Sequence, residues 1–368
     1  MILRQLTITN YKNIAEAKIS CSPGVNCLVG CNGMGKTNIL DAIHYLSFGK
    51  SYTNSSDSLV MRHGEEFMML AGDYVRKGEP LQISIALQNG KRKTMRRDGK
   101  EYKRLSQHIG LLPAVMVSPM DWDLIRGAGD ERRRLIDSVV SQSCAEYLAS
   151  LIRYHKALEQ RNSMLRQGFR DPILYEAVEN ILCQDAAFIH QKRTEWIVEF
   201  TPIFMRFYQA IAENSEEVCL EYRSHLHDDS MQNLLNANRE RDLAIGYTTK
   251  GVQRDDIELM LASHPMRRTG SQGQCKTYTI ALRLAQYEFL KSVSGVKPIL
   301  LLDDIFDKLD SHRVENIINV VAGNDFGQIF ITDTNREHID EIINRIKGDH
   351  KLMLVQQGVV SDLIPSQS

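Results

Sequence analysis

Residues Gly30-Cys31-Asn32-Gly33-Met34-Gly35-Lys36-Thr37 fit the pattern G-x-x-x-x-G-K-[ST], and the rest of the chain is best understood outward from them. The run Val25 to Val29 before them has the composition of a buried strand, and Asn38 to Ser47 after them reads as a helix. Strand, glycine-rich loop and helix in that order make a phosphate cradle. Gly30, Gly33 and Gly35 let backbone N–H groups wrap closely around two phosphates at the start of the helix. Lys36 then reaches the terminal phosphates and Thr37 ligates Mg²⁺, with Cys31, Asn32 and Met34 contributing backbone to the same loop.

Such a loop needs a carboxylate at the end of a buried strand to hold magnesium through water. The segment Ile299-Leu300-Leu301-Leu302 followed by Asp303-Asp304 supplies one. Asp303 is the expected magnesium aspartate, and Asp304 the expected general base for an attacking water. The two halves of the site are separated by most of the chain, so what lies between them is an insertion. Kinases of small molecules and simple GTPases rarely need that layout.

The intervening sequence changes texture twice. Residues 1 to about 110 carry strand patterns at Leu3 to Thr9, Ala17 to Ser20, Leu81 to Gln88 and Lys91 to Arg97. The last two are joined by Asn89-Gly90, which favours a tight hairpin turn because both residues tolerate positive φ. From Asp130 to about Ala212, residues such as Leu135, Ile136, Val139 and Val140 recur at helical spacing, and Asp171-Pro172 is a helix start. Their pattern is not a clean heptad, which predicts an arm packed on itself and not an extended coiled coil. After about residue 245 the α/β texture returns, with a helix through Tyr278 to Phe289 and a strand at Gln328 to Thr332. The expected fold is an α/β head built from 1–129 and 246–368, with a mainly helical insertion at 130–245.

Composition narrows the function. With 45 basic and 46 acidic residues the net charge is −1, so any nucleic-acid role must rest on basic residues gathered locally. One such place exists: Lys91, Arg92, Lys93, Arg96, Arg97, Lys100, Lys103 and Arg104 crowd the hairpin against only Asp98 and Glu101. Arg132 to Arg134 have acidic neighbours in Asp130, Glu131 and Asp137 and pair with them as readily as with DNA. Seven cysteines without a Cys-x-x-Cys pair read as reduced thiols. No apolar run approaches the ~20 residues of a membrane span, and the N-terminus lacks a signal-peptide core, so a cytoplasmic protein is expected. The histidines form no metal-ligand pattern, and magnesium is the one metal expected.

A second half-site gives the chain its family likeness. Ser271-Gln272-Gly273-Gln274 opens the helix from Cys275, stands shortly before the acidic strand, and is followed after it by Asp307-Lys308-Leu309-Asp310. This order of parts resembles the SMC and RecF branch of the ABC-type ATPases. Asn10-Tyr11-Lys12-Asn13, the stretch from Ser118-Pro119 through Gly127 to Asp137, and Gly251-Val252-Gln253-Arg254-Asp255-Asp256 narrow the resemblance to the RecF family. The chain departs from that family at Val252 and Gln253, which stand where it carries Pro-His, and it has no glutamine from Pro113 to Ser141 for a magnesium-sensing loop. Thr332-Asp333-Thr334 stand where transporters carry a switch histidine.

The resemblance implies an ABC-type head in which ATP is sandwiched between two protomers. Ser271, Gly273 and Gln274 of one would meet the γ-phosphate held by the other. It further implies a slow, DNA-stimulated ATPase of recombinational repair and replication restart, an ATP-dependent homodimer on double-stranded, gapped or junction DNA. RecR and RecO would be its partners, and RecA loading its indirect outcome. Lys91, Arg92, Lys93, Arg96 and Arg97 are then the candidate DNA contacts. An SMC-like chromosome organiser is the alternative, and the shortness of the insertion weighs against it. A transporter ATPase is opposed by the missing switch histidine.

Overall fold

The computed structural model describes residues 1–363 except 55, 213–215, 307–308, 324–325, 335 and 346–347. In chain order its elements begin with β1 (Ile2–Tyr11), β2 (Ile14–Ser20), β3 (Val25–Val29), α1 (Lys36–Phe48), β4 (Phe67–Arg76), β5 (Glu79–Gln88), β6 (Thr94–Arg97), β7 (Lys100–Glu101) and β8 (Ala114–Val117). A helical stretch follows, with α2 (Trp122–Arg126), α3 (Gly129–Ser143), α4 (Ala145–Arg166) and α5 (Pro172–Ala212). Then come β9 (Val218–Arg223), α6 (Met231–Ala237), α7 (Arg239–Ile245), β10 (Asp256–Leu261), β11 (His264–Pro265), α8 (Met266–Thr269) and α9 (Gln272–Ser294). The chain closes with β12 (Ile299–Asp303), α10 (Ser311–Gly323), β13 (Ile329–Asp333), α11 (Arg336–Arg345), β14 (His350–Gln356) and β15 (Val359–Asp362).

These elements divide into two compact units. The first holds Met1–Trp122, the tail of α5 from Arg206, and the chain from Ser271 onward. It contains an antiparallel sheet in the order β2-β1-β4-β5-β6-β7 and a mainly parallel sheet in the order β15-β14-β3-β13-β12-β8. Strands β3, β12 and β13 are buried along their whole length, which is why their sequences read as continuous apolar runs with no alternation. Strand β1 instead alternates, with Leu6 and Ile8 buried and Gln5, Thr7 and Thr9 half-buried. Helix α1 is apolar on most sides. Its Ile39, Leu40, Ile43 and Leu46 share one core with Ile8, Leu70, Ile83 and Leu301, each buried side chain contributing roughly 1.5–3 kcal/mol.

The second unit takes Asp123–Met205 and the chain after α5 up to Gly270. Helices α4 and α5 are joined by Arg153–Asp185 at 2.5 Å and by the fully buried Arg161, which also reaches Asp242 on α7. Asp171 accepts the Ile173 N–H at 3.0 Å with Pro172 as the first helical residue, the start its sequence predicts. Trp196 is buried and stacks on Phe200. A three-stranded sheet, β11-β10-β9, belongs to this unit and is invisible in the helical texture of the insertion. Because β10 and β11 pair with β9, the second unit runs past residue 245 to Gly270, and the tail of α5 belongs to the head. The boundaries thus differ from 130 and 245.

Two local expectations change. Asn89-Gly90 does turn the chain, with Lys91 N–H bonded to Gln88 O at 3.0 Å, but strand pairing resumes only at Ala86 opposite Thr94. A two-residue hairpin turn of the favoured kind needs positive φ at both positions, and of the two only Gly90, at 72°, has it. The arginines at the start of α3 are committed internally: Arg132 to Asp256 at 2.7 Å, Arg133 to Asp130, and Arg134 to Glu131 at 2.5 Å.

Candidate nucleotide site and signature turn

The loop from Gly30 leaves the end of β3 and enters α1 at Lys36. Gly30 cannot carry a side chain, since a Cβ would lie 2.4 Å from Val355 O. Gly35 sits at φ 110° as the N-cap of α1 and offers no side-chain cap, so the first N–H groups of a 13-residue helix face the loop. The tip residues Cys31, Asn32 and Gly33 are exposed while Lys36 is 4% exposed. Lys36 Nζ donates to Gly30 O (2.6 Å) and Cys31 O (3.2 Å), which holds the ammonium across the cradle. The loop is braced from outside: Asn38 Nδ2 donates to Asn13 Oδ1 at 2.7 Å, and Gly358 N donates to Met34 O at 2.9 Å.

At the end of β12 the structure brings Asp303 to this loop. Thr37 Oγ1 donates to Asp303 Oδ1 at 2.9 Å, and Thr332 Oγ1 donates to the same oxygen at 2.8 Å. Burial pushes the Asp303 carboxyl up to about 6, although the hydrogen bonds from Thr332 and Thr37 pull it down. Asp304 is partly exposed, lies at φ 44° and gives its N–H to Thr332 Oγ1 at 3.0 Å. A hydroxyl and a carboxylate in contact are the hard oxygen donors that suit Mg²⁺. Because Thr37 gives its proton to Asp303, its oxygen lone pairs are left for a cation, so these residues fit the ion. Among the described residues no group of three or more His, Cys, Asp or Glu could hold a metal, which leaves phosphate and water to complete such a shell.

Ser271 is the exposed N-cap of α9 in a complete capping box. Its Oγ accepts the Gln274 N–H at 3.2 Å, and Gln274 Oε1 accepts the Ser271 N–H at 2.8 Å. A Cβ on Gly273 would fall 2.1 Å from Arg313 Nη1, so glycine there makes room for the guanidinium. Asp310 accepts the Arg313 N–H at 2.9 Å near the start of α10, while Asp307 and Lys308 lie outside the described residues.

The basic hairpin divides. Lys91, Arg92, Arg96 and Arg97 are exposed. Lys93 is turned inward, donating to Gly49 O and Asp57 Oδ2, each at 2.7 Å, and lying over the Tyr45 ring. It is therefore withdrawn from the candidate DNA surface: its ammonium already has an anion, supplied by a residue 36 positions upstream.

Several residues around the site carry no motif. Asp41 on α1 is fully buried and gathers Tyr11 OH (2.7 Å), Ser51 Oγ (2.6 Å), the Tyr52 N–H (2.6 Å) and the Lys12 ammonium. Burial would raise its carboxyl, but Lys12 holds it below the usual carboxylate value. Tyr52 OH bonds to Asp121, which also pairs with Arg283 of α9 at 2.6 Å. Asp121 follows β8, in the region where a magnesium-sensing glutamine is absent from the sequence. The motif Asn10-Tyr11-Lys12-Asn13 gives the clearest clue to Asp41, since Tyr11 and Lys12 both end on it. Asp255 and Asp256 serve the second unit, pairing with the buried Arg193 and with Arg132.

A phosphate loop joined to an acidic strand end, with a capped serine turn opening a helix of the same unit, defines a P-loop head of the ABC and SMC type. Residues 2–359 match the family described as RecF/RecN/SMC N terminal domain. The DNA replication and repair protein RecF of Parabacteroides distasonis is 49% identical over 363 residues, covering 99% of this chain and 100% of that one. Among solved structures, the recombination mediator protein RecF-ATP in the RecFOR pathway is similar at a TM-score of 0.88 and 26% identity, covering 99% of this chain and 98% of that chain. An SmcHead bound to the C-winged helix domain of ScpA shares the fold at a TM-score of 0.59 and 16% identity, over 100% and 99% of the two chains. The chain belongs to the RecF family.

Proposed function

We propose that this protein is an ATP-dependent DNA-binding protein of recombinational repair and replication restart, whose protomers close on ATP and open after hydrolysis. The observation that carries the reading is the Thr37–Asp303 hydrogen bond, which closes the phosphate loop onto a magnesium-type carboxylate. Support for the biological setting comes from the RecF relatives, which are DNA replication and repair proteins, and from the similar structure named RecF-ATP in the RecFOR pathway.

In this reading the α1 N-terminus and Lys36 bind the phosphates of ATP, and Thr37 and Asp303 would hold Mg²⁺, which would neutralise phosphate charge when bound. Asp304 accepts the proton of the attacking water. The Ser271 turn of a second copy meets the γ-phosphate; ADP lacks that group, so hydrolysis removes the contact and times the dimer. Arg92, Arg96 and their exposed neighbours contact DNA phosphates, and hydrolysis is slow until DNA is bound. RecR and RecO are the partners, at gaps where RecA is loaded, and the setting is the cytoplasm. Among the described residues no helix is long and apolar enough to cross a membrane.

Steady-state hydrolysis by the purified protein, with and without gapped DNA, tests the reading. Slow turnover that rises with DNA is expected. A rate that DNA leaves untouched contradicts the DNA-coupled timer.

A further inference from the structure

Thr332 is the point at which both acidic residues of the site are tied to one side chain. It lies on β13, which runs between β3 and β12, opposite Asp303 on one side and Leu28 on the other. It is 0% exposed. A threonine hydroxyl has one proton to give and lone pairs to receive. Here the proton goes to Asp303 Oδ1 at 2.8 Å, and a lone pair takes the Asp304 N–H at 3.0 Å. The pairing of β12 with β13 ends at Asp303, so the next N–H along the chain is held by this side chain and not by the ladder.

The conformation of Asp304 makes that bond consequential. Its φ of 44° is in the left-handed region, which costs a non-glycine residue on the order of 1–2 kcal/mol and persists only where the surroundings impose it. The bond to Thr332 Oγ1 is one such constraint, and the direction of the Asp304 carboxylate follows from the backbone it fixes. On the Asp303 side, Thr332 and Thr37 both donate to Oδ1, so the orientation of this carboxylate is set by two hydroxyls.

We infer that Thr332 is a positioning residue for hydrolysis: its hydroxyl fixes the Asp304 backbone and orients Asp303, and it does not contribute to holding the nucleotide. The inference rests on the proposed ATPase reading of this site. The chemistry it requires is a hydroxyl, which serine supplies and the equally shaped valine does not.

The test compares Thr332→Val and Thr332→Ser with the unsubstituted chain. Thr332→Val should bind ATP within about threefold of the unsubstituted protein, measured in EDTA and again with Mg²⁺, yet turn over roughly tenfold to a hundredfold more slowly, the size expected when a reacting group is displaced by about 1 Å. Its ATP-bound dimer should outlive that of the unsubstituted chain by a similar factor. Thr332→Ser should recover the rate and the dimer lifetime. Full turnover by Thr332→Val overturns the inference, and so does a change confined to KM. If Thr332→Val does not fold, Thr332→Ser decides: full turnover in a folded serine variant supports the role, and a crippled but folded one overturns it. Failure of the unsubstituted protein to hydrolyse ATP at all would strike the ATPase reading instead.

Discussion

Thr37 and Asp303 are 266 residues apart in the chain and share a hydrogen bond of 2.9 Å. The site therefore exists only when the first part of the head and the part that follows the insertion fold together. Parallel pairing of β13 with both β3 and β12 brings the two ends to one edge.

Lys36→Met should abolish hydrolysis and weaken ATP binding, because no other ammonium is held over the loop carbonyls at Gly30 and Cys31 among the hydrogen bonds described. Asp304→Asn should bind ATP and accumulate as a nucleotide-bound dimer. Turnover and equilibrium binding, measured on both variants, check this; unchanged turnover in Lys36→Met removes the loop from the mechanism.

Lys93 and its exposed neighbours should separate cleanly. Charge reversal at Arg92 and Arg96 should lower DNA affinity and flatten the slope of log affinity against log salt by about one per lost phosphate contact. Lys93→Met should leave that slope alone and instead cost on the order of 1 kcal/mol of stability, since its partner Asp57 is part-exposed. Salt titrations and urea melts distinguish the two outcomes.

The buried pair Arg283–Asp121 links α9 to the turn after β8, and Tyr52 OH joins it. Removing one charge leaves the other unpaired in the interior, so Asp121→Ala should cost about 3–5 kcal/mol. A urea midpoint close to that of the unsubstituted chain would show that the pair is not held as described.

Acid should destabilise the head through two buried histidines, partly offset by Asp303, whose raised carboxyl takes up a proton in the folded state over the same range. Burial pushes the His44 and His108 rings down to about 4. In the unfolded chain they take protons below about 6.5 and in the folded chain they do not, so the unfolded state binds more protons across that window and stability falls with falling pH. At pH 5 the loss should reach about 2 kcal/mol per histidine. Urea melts at pH 7 and pH 5 measure it, and His108→Gln should reduce the difference.

The sequence disclosed those parts of the site that are local. The phosphate loop, the buried strand before Asp303 and the helix start at Ser271 each carry their own pattern within a few residues, and the structure places them as strand ends and helix starts. What stayed hidden depends on distant pairing. Nothing in the neighbourhood of Asp41, Asp121 or Arg283 says that they meet through Tyr52, and a count of basic residues could not show that Lys93 is consumed by Asp57. The three-stranded sheet escaped because β9 and β10 are short and flank two small helices. Thr332 was visible as a residue in an unusual place, but its role follows only from the order of strands.

The central claim is that ATP joins two copies through the Ser271 turn, and sedimentation velocity measures it directly. With ATP the chain should sediment as a dimer, and with ADP or no nucleotide as a monomer. Ser271→Arg should bind ATP with normal affinity and remain monomeric. Identical sedimentation in all nucleotide states, or a dimer of normal affinity from Ser271→Arg, would contradict the account.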